Sequence, residues 1–170
     1  MKKLLFTLLL SLLTLAMSAQ IQRTFLGNTL GVSTCAQVKS NMIQKGYRVA
    51  EGSDTDCLIF LNVKFAGCSC EKAFFYFHNK KLYMVSFLLE QSFIKDSFNQ
   101  EIEILKDRLI YKYPQYITIN EDDHLSANDG VTAVSVACSY LEEYYLHMLS
   151  LGYIDNKLME EKIKSTSDEL

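Results

Sequence analysis

The residues of this chain best suited to chemistry are its cysteines, Cys35, Cys57, Cys68, Cys70 and Cys138. Two of them stand one residue apart in Phe65-Ala66-Gly67-Cys68-Ser69-Cys70-Glu71-Lys72. Such a pair has three uses: thiol–disulfide exchange, half of a soft-metal site, or cross-linking. Exchange draws on a thiolate made acidic at a helix start or in a Cys-x-x-Cys loop, and neither accompanies Cys68 and Cys70. A bridge between the two would close a very small, strained and redox-labile ring. A zinc site needs further ligands, but His78, His124 and His147 stand alone, without Cys-x-x-Cys or His-x-x-x-His spacing. No metal and no cofactor is therefore expected. Cross-linking is the favoured use. An odd set of cysteines in an oxidising compartment implies disulfides with one spare thiol.

The compartment follows from residues 1–19, which read as a signal peptide. Lys2 and Lys3 form a basic start, Leu4 to Leu15 an apolar run, and Ala16 to Ala19 a small-residue exit, with cleavage expected before Gln20. The run is too short to span a bilayer, and no later segment is long and apolar enough to do so. The first cysteine lies at Cys35, far from the exit, which argues against lipoprotein processing. The expectation is an exported protein, periplasmic or extracellular. The ending Ser167-Asp168-Glu169-Leu170 resembles a retention tag, but the short di-lysine leader has a bacterial look that makes this coincidental.

With 17 Lys and Arg against 20 Asp and Glu the formal charge is −3, and loss of Lys2 and Lys3 makes it −5. There is no basic cluster of the kind phosphate binding requires, so nucleic acid is not an expected partner. Almost half of the chain is hydrophobic, at 49%, enough for one core over residues 20–170. Catalytic patterns such as Gly-x-Ser-x-Gly, His-Glu-x-x-His or a glycine-rich phosphate loop are missing from the sequence.

These residues have to be positioned by recognisable elements. Thr34 followed by Gln37 reads as a capping box that opens a helix, with Cys35, Val38 and Met42 on one face and Gly46 as its left-handed stop. Alternation puts Cys57, Ile59, Leu61, Val63 and Phe65 on the buried face of a strand. Two aromatic-rich strands follow around a tight Asn79-Lys80 turn. Ser97 with Gln100 suggests a second capping box. Its helix would carry Phe98, Ile102, Leu105, Leu109 and Tyr113 inward and stop at Pro114.

Further on, Tyr116-Ile117-Thr118-Ile119-Asn120 suggests a strand and residues 121–130 an acidic loop with a turn at Asp129-Gly130. Val134, Val136 and Cys138 mark one face of the next strand. Residues 144–154 suit a returning strand after a turn at Glu142-Glu143, although Leu141, Tyr145 and Met148 also fit helical spacing. A short exposed helix from Asn156 to Lys164 closes the chain. The expected fold class is α+β: two amphipathic helices on one face of an antiparallel sheet, in the order helix, three strands, helix, three strands. The halves, 25–90 and 91–155, read as pseudo-repeats.

The first helix, if antiparallel to the strand ending at Phe65, brings Cys35 to the Cys68–Cys70 tip. A bridge from Cys35 to either one would then contribute about 3 to 4 kcal/mol. Cys57 and Cys138 would pair only if their strands were neighbours, and otherwise serve as small apolar core residues.

The runs Phe25-Leu26-Gly27, Leu30-Gly31-Val32-Ser33, Lys45-Gly46-Tyr47, Asn62-Val63-Lys64-Phe65-Ala66-Gly67 and Lys112-Tyr113 resemble a group of small exported proteins of Gram-negative anaerobes. That group carries F-x-G, L-G-x-S, a helix ending K-G-F/Y, a strand G-x-F-x-G and a later helix ending K-Y-G. Pro114 replaces the glycine after Lys112-Tyr113 here. The resemblance covers residues 25 to 116. It implies an architecture similar to β-lactamase-inhibitor-protein and outer-membrane-assembly-lipoprotein folds, and no catalytic residues.

The tyrosines concentrate in the second half. Tyr140, Tyr144 and Tyr145 are the candidate interaction residues, because tyrosine combines an apolar ring with a wettable end. The functional expectation is an exported, non-catalytic binding or interaction module whose partner is a protein or another envelope component. The alternative is a thiol-disulfide-active or inhibitor-type protein acting through Cys68 and Cys70 or through its loop tips.

Overall fold

A computed structural model describes residues 20–167; the expected leader and the last three residues lie outside this range. The chain enters as a small hairpin, β1 (Thr24–Phe25) and β2 (Asn28–Thr29), followed by helix α1 (Cys35–Gln44). Then come β3 (Arg48–Val49), β4 (Cys57–Phe65), β5 (Cys68–His78) and β6 (Lys81–Ser92). Helix α2 (Asn99–Lys112) leads to β7 (Ile117–Glu121), β8 (His124–Asn128), β9 (Thr132–Leu141) and β10 (Leu146–Asp155), and α3 (Asn156–Ser167) ends the described chain.

The eight strands β3 to β10 form one antiparallel sheet in the order β3-β4-β5-β6-β10-β9-β8-β7. This corrects the expected architecture. Two packed helices, an exposed C-terminal helix and six strands become three packed helices, an eight-stranded sheet and a separate two-stranded hairpin. The strands not foreseen are short or polar: β3 has two residues, and β8 runs through the segment expected to be an acidic loop. Only Asp122 and Asp123 remain as the β7–β8 turn, since Glu121 pairs with His124. The strand order is symmetric about its centre. Each helix α1 and α2 is followed by a four-stranded meander, and the two meanders join where β6 pairs with β10.

Local chemistry explains the elements. Thr34 accepts from the Gln37 N–H while the Gln37 side chain accepts from the Thr34 N–H, a reciprocal capping box at α1. The helix stops in a Schellman arrangement, with Gly46 at φ +87° and the Tyr47 N–H bonded to the Met42 carbonyl. The tight β5–β6 turn has Asn79 and Lys80 both at positive φ. The start of α2 departs from expectation. Ser97 lies in a single 3-10 turn and its hydroxyl donates to the Ile94 carbonyl, so the helix begins at Asn99 with no side-chain cap. The inward stripe of Phe98, Ile102, Leu105, Leu109 and Tyr113 is buried, and the helix ends just before Pro114.

One face of the sheet carries the core. Val38 and Met42 of α1 and the α2 stripe cover Phe60, Phe75, Val85, Val134, Val136 and Leu151. Phe25, Phe65, Phe87 and Tyr153 form an aromatic cluster at its centre, with Phe65 stacked on Phe87 at 4.1 Å. Tyr83, Leu88 and Leu158 are buried as well but stand outside this core. They lie on the opposite face, where α3 rests against β6 and β10 and Lys162 sits over the Tyr83 ring. Leu158 of α3 is thus buried where an exposed helix was expected. Apart from α3, this second face has no helical cover among the described residues.

The strand alternation expected for β4 holds only in part. Leu58 and Phe60 point into the core, then Val63 does, with Cys57, Ile59 and Leu61 on the other face. Between the two phases lies Asn62 at φ +52°. A left-handed residue inside a strand kinks it and shifts the alternation by one, which moves every earlier side chain to the opposite face. Asparagine is one of the few residues that adopt this conformation readily.

Candidate functional site

The five cysteines are dispersed as free thiols. Cys35 opens α1 beside Asp54 and Leu58, where β4 begins. The end of α1 lies toward the far end of β4, with the Tyr47 hydroxyl accepting from the Lys64 N–H. Helix and strand therefore run in the same sense, not the opposed sense that would have brought Cys35 to the tip. Nine residues of β4 place about 26 Å between its ends at roughly 3.3 Å per residue, whereas a disulfide needs Cα atoms within about 7 Å.

Cys57 shares a hydrogen bond with Tyr76 on the face opposite the core. Its strand is separated from that of Cys138 by β5, β6 and β10. Cys138 lies beside Lys95 and Asp123, which form an exposed ion pair at 2.8 Å. Burial raises the thiols of Cys57 and Cys70 to about 11, and it also raises those of Cys35 and Cys138. These groups hold their protons at neutral pH, which disfavours nucleophilic attack.

Cys68 and Cys70 sit at the start of β5, paired with Phe65 and Val63. Both face the core side; Cys70 is sealed, and Cys68 reaches a cleft of about 260 Å³ beneath α2. Leu89, Ile104, Leu105 and Leu149 make this cleft apolar, with Glu90, Glu101 and Arg108 among its polar lining. Two carboxylates against one guanidinium give no single-charge character to its mouth.

The acidic segment is structural. Asp129 accepts hydrogen bonds from the N–H groups of Ile21, Val131 and Thr132. Burial opposes its charge, but these N–H groups and nearby Arg23 together hold its carboxyl below the usual range. Lys106 is buried and ties α2 to the β7–β8 turn through the carbonyls of Glu121 and Asp122. His124 pairs with the Ser126 hydroxyl at 2.8 Å. Among the described residues there is no group of three or more His, Cys, Asp or Glu side chains placed to hold a metal ion.

The open face offers a different kind of site. A groove of about 480 Å³ lies where β5, β6 and β10 meet the β9–β10 turn. Its floor is Phe74, Leu88 and Met148, its walls are Phe93, Leu141, Tyr144 and Leu146, and Lys72 and Gln91 supply polar edges. Phe93 is 76% exposed, Tyr145 73% and Tyr144 59%. Ile94 and Leu141 belong to the same apolar end, whereas Tyr140 alternates with Leu141 and shares the covered side with Cys138. Of the tyrosines singled out from sequence, Tyr144 lines the groove. Tyr145 takes a left-handed conformation at the turn, at φ +53°, and Tyr140 packs on His147 at 4.7 Å.

Phe93, Leu146 and Met148 are site residues that sequence reasoning missed. A signal for Phe93 exists in Ser92-Phe93-Ile94, two large apolar residues next to a predicted helix start with no element to bury them.

Comparison with known protein families, curated proteins and solved structures finds no match to this chain. The described helices include none long and apolar enough to cross a membrane.

Proposed function

We propose that this is an exported, non-catalytic protein-interaction module that binds its partner on the open sheet face at the β9–β10 turn. One observation carries the reading: Phe93, Ile94, Leu141, Tyr144 and Tyr145 are exposed together at one end of the sheet. Single exposed hydrophobics are ordinary on a soluble surface, but a contiguous patch lining a groove marks an interaction site. Aromatic side chains at the centre of such a patch are the usual anchors of binding energy. Export rests on the basic start, apolar run and small-residue exit of residues 1–19.

The thiol-disulfide alternative has weaker support. Cys68 reaches a cleft, but its neighbour Cys70 is sealed in the core with its thiol raised to about 11. A resolving thiol in that state attacks slowly.

The test is a photo-crosslinking residue placed at Tyr144, and as control at exposed Val131, in cells that make the protein. A discrete adduct from position 144 and not from 131 is expected. Identical adduct patterns at both positions, or none at 144, would overturn the proposal.

A further inference from the structure

We infer that the occupant of the open-face groove is a second copy of this chain, docked about a two-fold axis that sets Lys72 of one copy against Glu142 and Glu143 of the other. The inference rests on the interaction reading above and names its partner.

The reason is the distribution of charge around an apolar centre. Lys72 lies at one end of the groove: it pairs in register with Leu88 of β6, which in turn pairs with Ser150 of β10. Glu142 and Glu143 lie at the other end, on the exposed 3-10 turn between β9 and β10. Ser150 and Leu146 are four residues apart on β10, so the two ends are separated by at least about 13 Å of strand. Between them are Phe93, Leu146 and Met148.

None of these three charges takes part in an ion pair among the described residues. The pairs formed there are Arg23–Asp155, Lys95–Asp123, Lys106–Glu103 and Lys157–Glu161. A two-fold interface has to be self-complementary, because each patch meets its own copy turned by half a revolution. A patch with an apolar middle, a free lysine at one end, where the neighbouring Glu71 carboxylate is taken up by the Gln91 amide at 2.6 Å, and two free carboxylates at the other meets that condition. The rotation lays apolar surface on apolar surface and brings each lysine to the opposing pair of glutamates. A patch of uniform charge would repel its own copy instead. The β7 edge of the sheet is a poorer route to self-association. Edge strand β7 is short and its pairing with β8 shifts register between Ile117 and Ile119, an irregularity that hinders edge-to-edge pairing.

The experiment is sedimentation velocity on the purified protein over a range of concentrations, with charge-reversed variants. The wild-type protein is expected to form a reversible dimer. Lys72→Glu alone, and Glu142→Lys with Glu143→Lys together, are each expected to weaken it about tenfold or more. Mixing the two variants is expected to restore dimer at wild-type strength. In the mixed pair each reversed end faces a reversed end and each native end a native one. Misfolding of either variant cannot produce that recovery, and circular dichroism of each checks the fold.

A dimer indifferent to these reversals, or a mixture no stronger than its components, overturns the inference. So does a protein that stays monomeric at all concentrations. A monomer that still gives a discrete adduct to a different protein from position 144 overturns the self-pairing while leaving the interaction reading in place. A monomer with no such adduct overturns both.

Discussion

The two faces of the one sheet are built from the same strands and differ in what they meet. On the covered face, α1, α2 and the β1–β2 hairpin close over Phe60, Phe75, Phe87 and Val136, which are fully buried. On the other face, Phe74, Met84 and Met148 are only half-buried, and cover comes from α3 at one end. A sheet with alternating side chains has to satisfy both faces. Here the covered face supplies stability, and the apolar end of the open face is surface the fold itself does not use. Stability and association should therefore respond to different substitutions.

The largest expected effect is on the covered face. Phe87→Ala removes the ring stacked on Phe65 and next to Phe25, and should cost about 3 to 5 kcal/mol in urea denaturation followed by circular dichroism. The remaining folded protein should associate as before. Next is Asp155, where the chain turns from β10 into α3. Its carboxylate pairs with Arg23 and accepts from the Leu158 N–H, joining the N-terminal segment to the start of α3. Asp155→Ala leaves the Arg23 guanidinium without its ion pair and the helix without a cap, and should cost about 3 kcal/mol. A loss below about 1 kcal/mol in either case would break the assignment of stability to these contacts.

The covered face is also the more legible one. The α2 stripe can be read because 3.6-residue spacing over Phe98 to Tyr113 requires one buried side. The strands on either side of Asn79-Lys80 can be read because aromatic and β-branched runs flank a turn dipeptide. Three features escape for physical reasons. Thr34 and Ser97 carry the same capping signature, but only Thr34 caps; the Ser97 hydroxyl is taken by the Ile94 carbonyl in a tighter turn. β8 is hidden because His124, Ser126 and Asn128 alternate with only two apolar residues, Leu125 and Ala127.

The third feature is Asn62, whose left-handed backbone reverses the alternation of β4. No local pattern announces such a switch, since its cause is a backbone conformation that several polar residues can adopt. The consequence for the candidate site is direct. Cys57 falls on the open face, while the helix sense that would have joined Cys35 to Cys68 depends on packing beyond any single segment. The groove, by contrast, is half visible. Tyr144 stands out by its type, but its neighbours Leu88 and Met148 come from strands far apart in sequence.

A smaller effect tests how the covered side is held closed at its edge. Asp129 binds the Ile21 N–H and so ties the first described residues to the β8–β9 turn. Its carboxyl titrates below the usual range in the folded protein, while in the unfolded chain it should titrate near about 3.9. The unfolded chain therefore takes up its proton first as pH falls. The stabilisation is complete above the unfolded value and is lost as pH drops through the folded one. Asp129→Asn should cost about 1 kcal/mol at neutral pH and flatten the acid side of the stability profile below pH ~4. An acid limb as steep as that of the wild-type protein would mean that the charge of Asp129 is not what those hydrogen bonds reward.

The smallest stability effect is expected where the functional effect is largest. Tyr144→Ser removes a ring that is 59% exposed and stands outside the buried core. Its cost in urea denaturation should stay within about 0.5 kcal/mol, the range of ordinary surface substitutions. Association should nevertheless fall sharply, because aromatic anchors of an interface commonly contribute about 2 kcal/mol or more, roughly thirtyfold in the dissociation constant. The same two measurements on Phe87→Ala should give the reverse pattern, a large loss of stability with association intact. If Tyr144→Ser instead destabilises the fold as strongly as a core substitution, the open end of the sheet belongs to the core and the division between the two faces fails.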